Sequence, residues 1–253
     1  MKRLSRCTSL VAGSIVCLLG LAGPAHASSL NVTPVRVTLD AQHRSVALTL
    51  ENESDEAKVI QTELVRWTQQ DGDNVYAPSH DLLINPPIFT LKPGKRQVIR
   101  IGLNRKTDVK NELAYRLRLT EVPPPPKEEF TGLRIALRLD LPVYVQPRET
   151  QNNQLNWKAS RNTNGEVLLT LSNMSNHHIQ LKDIKLNEAA GGCQLVDWQP
   201  AGFVLLSGQS RQIRLKPDID WNAKQLEFTA HINDGLVAAK VELEPTGLGQ
   251  VAP

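Results

Sequence analysis

Cysteine is almost missing from this 253-residue chain: Cys7, Cys17 and Cys193 are all there is. The first two fall in an N-terminal stretch that reads as a leader, so the chain beyond the leader has no intramolecular disulfide available. Aromatic residues make up only 4%, which speaks against a binding platform of clustered exposed rings. An excess of one charge is lacking too. The leader carries three of the 29 Lys and Arg (Lys2, Arg3, Arg6) and none of the 26 Asp and Glu, so the remainder is formally neutral. That removes any global case for nucleic-acid binding. There is no Gly-rich phosphate loop, no HExxH, no CxxC pair and no GxSxG elbow. Nothing calls for an enzyme, a nucleotide or a cofactor. His177-His178 is the one histidine pair, but neighbours on a strand point to opposite faces, so no metal site is expected there. Cys193 reads as a small buried apolar group rather than a nucleophile.

Residues 1–27 read as a secretory signal peptide. A basic start is followed by the apolar run Leu10–Ala22, which is too short to span a membrane, and by Ala25-His26-Ala27 as a cleavage site. Val16, before Cys17, is bulky where a lipoprotein signal wants a small residue, so no lipid anchor is expected. The expected location is an exported compartment, most simply a bacterial periplasm.

No sustained 3.6-residue period occurs after the leader. Period-2 alternation recurs instead, in Ser45–Leu50, Val59–Trp67, Gln97–Leu103 and Ala114–Val122. Turn signals such as Asp71-Gly72 and Pro93-Gly94 separate the runs, and this is the pattern of a β-sandwich. The polar stretch Gln146–Asn153 marks a boundary, beyond which shorter strands repeat the logic. Leu91-Lys92-Pro93-Gly94 with Ile99-Arg100-Ile101 recurs at the same spacing as Leu205-Leu206-Ser207-Gly208 with Ile213-Arg214-Leu215. The expected fold is all-β, with two immunoglobulin-like sandwiches, residues 28–147 and 148–253, arranged as an L or boomerang.

The longest alternating run is residues 133–145. Its odd positions, Leu133, Ile135, Leu137, Leu139, Leu141, Val143 and Val145, are all branched aliphatics. A strand of this length would span roughly 43 Å, and globular strands usually have about 5–6 residues. Either it serves two layers of its own protein, or one end lends its apolar ridge to another.

Several motifs, in order, resemble the periplasmic chaperones of the chaperone–usher pilus pathway. They are the early strand with Arg36, Pro86-Pro87-Ile88-Phe89-Thr90-Leu91-Lys92-Pro93-Gly94, Gln97-Val98-Ile99-Arg100, Tyr115-Arg116-Leu117, Glu121-Val122-Pro123-Pro124, Ile135-Ala136-Leu137 and Ile232-Asn233-Asp234-Gly235. Trp67-Thr68-Gln69-Gln70-Asp71-Gly72 looks like the archaic branch, and the short connection before Leu133 like the short-loop type. The resemblance implies both partners and a mechanism. Clients are pilus or fimbrial subunits that lack their last strand. The long strand 133–145 completes their sheet in trans, and an outer-membrane usher receives them. Leu133, Ile135, Leu137, Leu139 and Leu141 are the implied donors. In this family an Arg and a Lys hold the client's C-terminal carboxylate. Arg36 matches the Arg, but the Lys position is Pro142, so Arg116, with Arg118 in reserve, is the candidate replacement. An interdomain ionic triad is also implied. Glu112 and Asp234 match its acids while its Arg falls on Gln146, so Arg148 or another base is expected beside them. An unpaired strand invites self-pairing, so a self-capped dimer is expected of the free form. The competing reading is a secreted two-domain structural or adhesive β-protein that keeps its strand for itself.

Overall fold

A computed structural model describes residues 30–105, 109–124, 135–150, 152–233 and 235–244, and within them the chain is all strand and turn. Ten strands come first: β1 (Leu30–Thr33), β2 (Val37–Leu39), β3 (Ser45–Asn52), β4 (Lys58–Gln70), β5 (Asp73–Pro78), β6 (Leu82–Asn85), β7 (Ile88–Leu91), β8 (Arg96–Leu103), β9 (Leu113–Val122) and β10 (Arg138–Val145). They form two facing sheets, β1-β3-β8-β6 and β2-β10-β9-β4-β5, with β7 also on β4. Seven more strands complete the chain: β11 (Leu155–Arg161), β12 (Val167–Asn173), β13 (Ile179–Glu188), β14 (Gln194–Leu205), β15 (Ser210–Leu215), β16 (Gln225–Ile232) and β17 (Gly235–Glu244). Their order is β14-β13-β16-β17-β11-β12-β15.

Alternation explains the N-terminal core. Tyr115, Leu117 and Leu119 of β9 and Leu141, Val143 and Val145 of β10 face inward, against Leu48, Leu50, Ile99 and Ile101 of the opposite sheet. A separate core fills the C-terminal sandwich around Leu169, Leu171, Leu186 and Phe228. A third, small cluster joins the two. Trp67, Ala114 and Tyr144, on the outward face of the first sandwich, pack on Leu206 and Val204 of the second. Gln69 clamps this contact, donating to the Val204 carbonyl at 2.8 Å and accepting from the Leu206 N–H at 2.9 Å.

The repeated Leu-x-x-Gly turns rest on a repeated buried asparagine. Asn52 and Asn173 are both fully buried. Asn52 Nδ2 donates to the carbonyls of Glu56 and Leu91, and its Oδ1 accepts from the Ser54 N–H. Asn173 does the same with His177, Leu205 and Ser175. The glycine N–H of each turn, Gly94 or Gly208, donates to the backbone carbonyl of its asparagine. Both glycines have positive φ, +63° and +72°, where a side chain would be strained.

Two expectations are corrected, and one strand has no counterpart in the sequence reading. The long strand is shorter than its sequence pattern: Ile135–Leu137 is not strand and β10 begins at Arg138, while Leu133 lies outside the described residues. Cys193 is exposed, in the turn between β13 and β14, rather than buried. The hairpin strand β5, every residue of which is exposed, gave no buried alternation to read.

Candidate functional site

The two halves of β10 have different neighbours. Val143–Val145 runs parallel to β2, and all of Arg138–Val145 runs antiparallel to β9. Among the described residues, nothing pairs with Arg138–Pro142 on the side away from β9. Two backbone bonds fix which groups face that side. The Glu121 N–H donates to the Leu137 carbonyl at 2.8 Å, so odd residues of β10 turn their backbone groups to β9. The Gln146 N–H donates to the Leu39 carbonyl at 2.8 Å, so even residues turn theirs to the β2 side. The N–H and C=O of Arg138 and of Asp140 therefore line an open edge. Pro142 stands at the end of that edge, where β2 takes over; it has no N–H to contribute.

Side chains of the ridge grade from buried to bare along this edge. Val143 is 0% exposed and Leu141 8%, both inside the N-terminal core; Leu139 packs partly against it; Ile135 is 82% exposed. Leu141 is thus spoken for by its own domain, which corrects its place among the donors. Ile135, Leu137 and Leu139 stay available in decreasing degree. Beneath them the core ends in a buried ion pair, Lys58 Nζ to Glu121 Oε1 at 2.8 Å. The other Glu121 oxygen accepts from the Leu137 N–H at 3.4 Å. The chain leaves the ladder at that point.

The even side chains of β10 lie on the outward face, and three of them head rows across the sheet. The register places Tyr144, Ala114 and Trp67 in one row, Pro142, Arg116 and Val65 in the next, and Asp140, Arg118 and Glu63 in the third. The Arg116 guanidinium lies 3.9 Å from the Trp67 ring centroid, and that of Arg118 lies 5.1 Å from Tyr76. Asp140 sits between them: its carboxylate is 3.9 Å from Arg116 Nε and 3.6 Å from Arg118 Nε. Arg118 also reaches Glu63 at 3.5 Å. Arg36 is exposed in the bend before β2, outside the strand in which it was expected, and donates to Gln180 of the C-terminal domain at 3.2 Å. Arg36 and Arg116 flank Tyr144. Burial, with help from the Glu112 charge, pushes the Tyr144 hydroxyl up to about 12, and both arginines oppose that shift.

At the hinge, Glu112 meets a histidine. Its Oε1 accepts from the His178 backbone N–H at 3.0 Å and lies 2.6 Å from His178 Nδ1. The His178 ring stacks on Tyr144 with centroids 3.8 Å apart. Arg148 is exposed beside Gln146 and Pro147 and forms no ion pair with Glu112, whose base is His178; Asp234 lies outside the described residues. His178 was invisible as a partner because only the fold brings it to Glu112. Asp140, Glu63 and Trp67 were likewise missed, for they meet Arg116 and Arg118 only through the register of three strands.

A family model for the PapD N-terminal domain of pili and flagellar-assembly chaperones matches residues 29–151. The N-terminal part of this chain is similar to that family. The chaperone protein FimB/FhaD of Bordetella pertussis is 26% identical over 234 residues, spanning 87% of this chain and 90% of its own. Among solved structures, a chain of the CsuC–CsuE chaperone–tip adhesion subunit pre-assembly complex, from archaic chaperone-usher Csu pili of Acinetobacter baumannii, is similar in fold. Its TM-score is 0.61 at 15% identity, over 85% of this chain and 98% of that one. The Salmonella enterica SafA pilin–SafB chaperone complex also contains a similar chain, with a TM-score of 0.56 at 16% identity over 86% and 98%. The structural likenesses extend through both sandwiches and support the all-β two-domain architecture.

Proposed function

We propose that this PapD-type protein is a periplasmic chaperone of pilus or fimbrial subunits, and that it caps a subunit by adding the Arg138–Pro142 edge and the ridge before it to the subunit's incomplete sheet. The observation that carries this reading is the open edge of β10 beside an apolar ridge. Main-chain groups of Ala136, Arg138 and Asp140 supply a sequence-tolerant ladder, and Ile135, Leu137 and Leu139 enter the client's groove. Burying an aliphatic side chain is worth about 1.5–3 kcal/mol, so three supply roughly 4.5–9 kcal/mol before association costs of similar size. That range suits a holder that releases its client to an outer-membrane usher without a nucleotide. Arg116, with Arg118 and Arg36, anchors the client's C-terminal carboxylate, and the outward face behind Pro142 supplies the positive charge the proline cannot. In the free protein the same edge pairs with a second copy as a self-capped dimer. A structural or adhesive protein would instead keep this strand paired in its own sheet.

The test is co-expression with a pilus subunit that lacks its last strand. Ile135→Asp and Leu137→Asp should abolish recovery of soluble subunit while leaving the chaperone's melting temperature unchanged. Undiminished subunit recovery with both variants would refute the strand-donor role.

A further inference from the structure

We infer that Asp140 is a placeholder anion: in the free protein it sits on the Arg116–Arg118 pair, and it gives way to the carboxylate of the bound subunit. The inference rests on the anchoring role proposed above for these arginines. Two guanidiniums share one carboxylate. Glu63 reaches Arg118 alone, and its side chain is 55% exposed. Asp140 serves both arginines loosely, at 3.6 and 3.9 Å, beyond the range of charge-assisted hydrogen bonds of about 2.7–2.9 Å. Arg116 Nε, Arg118 Nε and Asp140 Oδ1 are all buried, and none has a hydrogen-bond partner. Buried donors left in this state favour any acceptor that can approach them more closely.

The arginines do not need Asp140 to stay in place. Trp67 and Tyr76 hold their planes from behind, as cation–π partners. The Asp140 side chain is 31% exposed, so one rotamer change takes it to solvent. Its position on the donor strand couples the two events. The N–H and C=O of Asp140 face the open edge, so a client strand that pairs there takes hold of the residue carrying the placeholder. Strand pairing and opening of the charge site then occur together. Before a client arrives, the cluster is mostly neutralised and discriminates against stray anions.

Asp140→Asn keeps the shape and removes the charge. Arginine Nε–Hε resonances of the full chain would be followed by NMR during titration with acetate, and with acetamide as the uncharged control. The expected result is a fall of about fivefold in the acetate midpoint at Arg116 and Arg118, the scale of losing one partly exposed ion pair, with no change for acetamide. An unchanged or higher midpoint in a variant with a wild-type melting temperature overturns the placeholder. Asp140→Ser carries the same comparison if the Asn variant folds poorly. The co-expressed pilus subunit supplies a second arm, read as the salt concentration at which the co-purified complex dissociates. Asp140→Asn should raise it, and Arg116→Ala/Arg118→Ala should lower it. A lowered value for the arginine double variant with no rise for Asp140→Asn removes the placeholder alone. No change in the double variant removes the anchoring role itself, and the placeholder with it.

Discussion

Val143–Val145 and Arg138–Pro142 are successive halves of one strand with one alternating pattern, yet only the first has neighbours on both sides. β2 and β9 flank Val143–Val145, and Arg138–Pro142 has β9 alone. The inward side chains of the first half are sealed in the core, while the ridge that leads into the second ends on a bare isoleucine. The outward side chains differ as well: Tyr144 is buried under the C-terminal domain, and Asp140 faces two arginines at the margin. Alternation decides which face of a strand is apolar; it says nothing about how many neighbours the strand has. A hydrophobic face without a full set of neighbours is therefore the local sign of a surface meant for another chain.

The strongest way to break this comparison is to place the same charge in both halves. Val143→Asp buries a carboxylate with no partner in the N-terminal core and should destabilise the protein by at least about 4 kcal/mol, enough to prevent folding. Ile135→Asp, at an exposed site, should change stability by no more than about 0.5 kcal/mol. Urea unfolding of the two variants measures the difference directly. Similar losses in both would mean that the ridge is one continuous core and that the halves do not differ.

This contrast was half legible in the sequence. The odd ridge, the faces of its side chains and the turns at Asp71-Gly72 and Pro93-Gly94 come from alternation and turn chemistry, because each depends only on neighbours along the chain. The end of β10 at Arg138 does not, since it depends on where β2 stops. Leu141 and Ile135 are indistinguishable in pattern; depth in the sandwich separates them. Arg116 is singled out by lying on the strand expected to neighbour the long one, whereas Asp140 and Trp67 required the register of β4, β9 and β10. The Glu112–His178 contact joins residues 66 positions apart. The Asn52 and Asn173 pins left a trace that was readable and missed: each is followed two residues later by a serine, ahead of a Leu-x-x-Gly turn.

The junction between the halves is the next place to test. Lys58 and Glu121 form a nearly buried pair, and Glu121 also accepts from the Leu137 N–H where the chain leaves the ladder. Glu121→Gln leaves the Lys58 ammonium without its counter-charge and should cost about 3 kcal/mol. Lys58→Met/Glu121→Leu removes both charges and should cost less than Glu121→Gln alone. Hydrogen exchange would sharpen the result, with faster exchange at the Leu137 amide than in wild type and no change at Leu141. Equal acceleration at both amides would show that the ion pair supports the whole strand rather than its free end.

The smallest effect concerns the outward face of the paired half. Tyr115 in the N-terminal core and Tyr144 at the domain contact both have hydroxyls pushed up to about 12. Burial comes first in each, seconded by the hydrogen bond to Asp81 for Tyr115 and by the Glu112 charge for Tyr144. A tyrosine raised in this way keeps its proton in the folded state at a pH where the unfolded chain has lost it. Its contribution is complete below about pH 10, the unfolded value, and is lost as pH rises from there towards 12. Stability measured by urea unfolding should therefore fall between pH 10 and 11, by no more than about 1.4 kcal/mol for each such tyrosine. Tyr144→Phe should make that fall shallower by about 1 kcal/mol, after subtraction of its difference at pH 8. An unaltered slope would mean that water reaches the Tyr144 hydroxyl and that the C-terminal domain does not seal this end of β10. The outward faces of the two halves would then be alike, and only the neighbours along the edge would distinguish them.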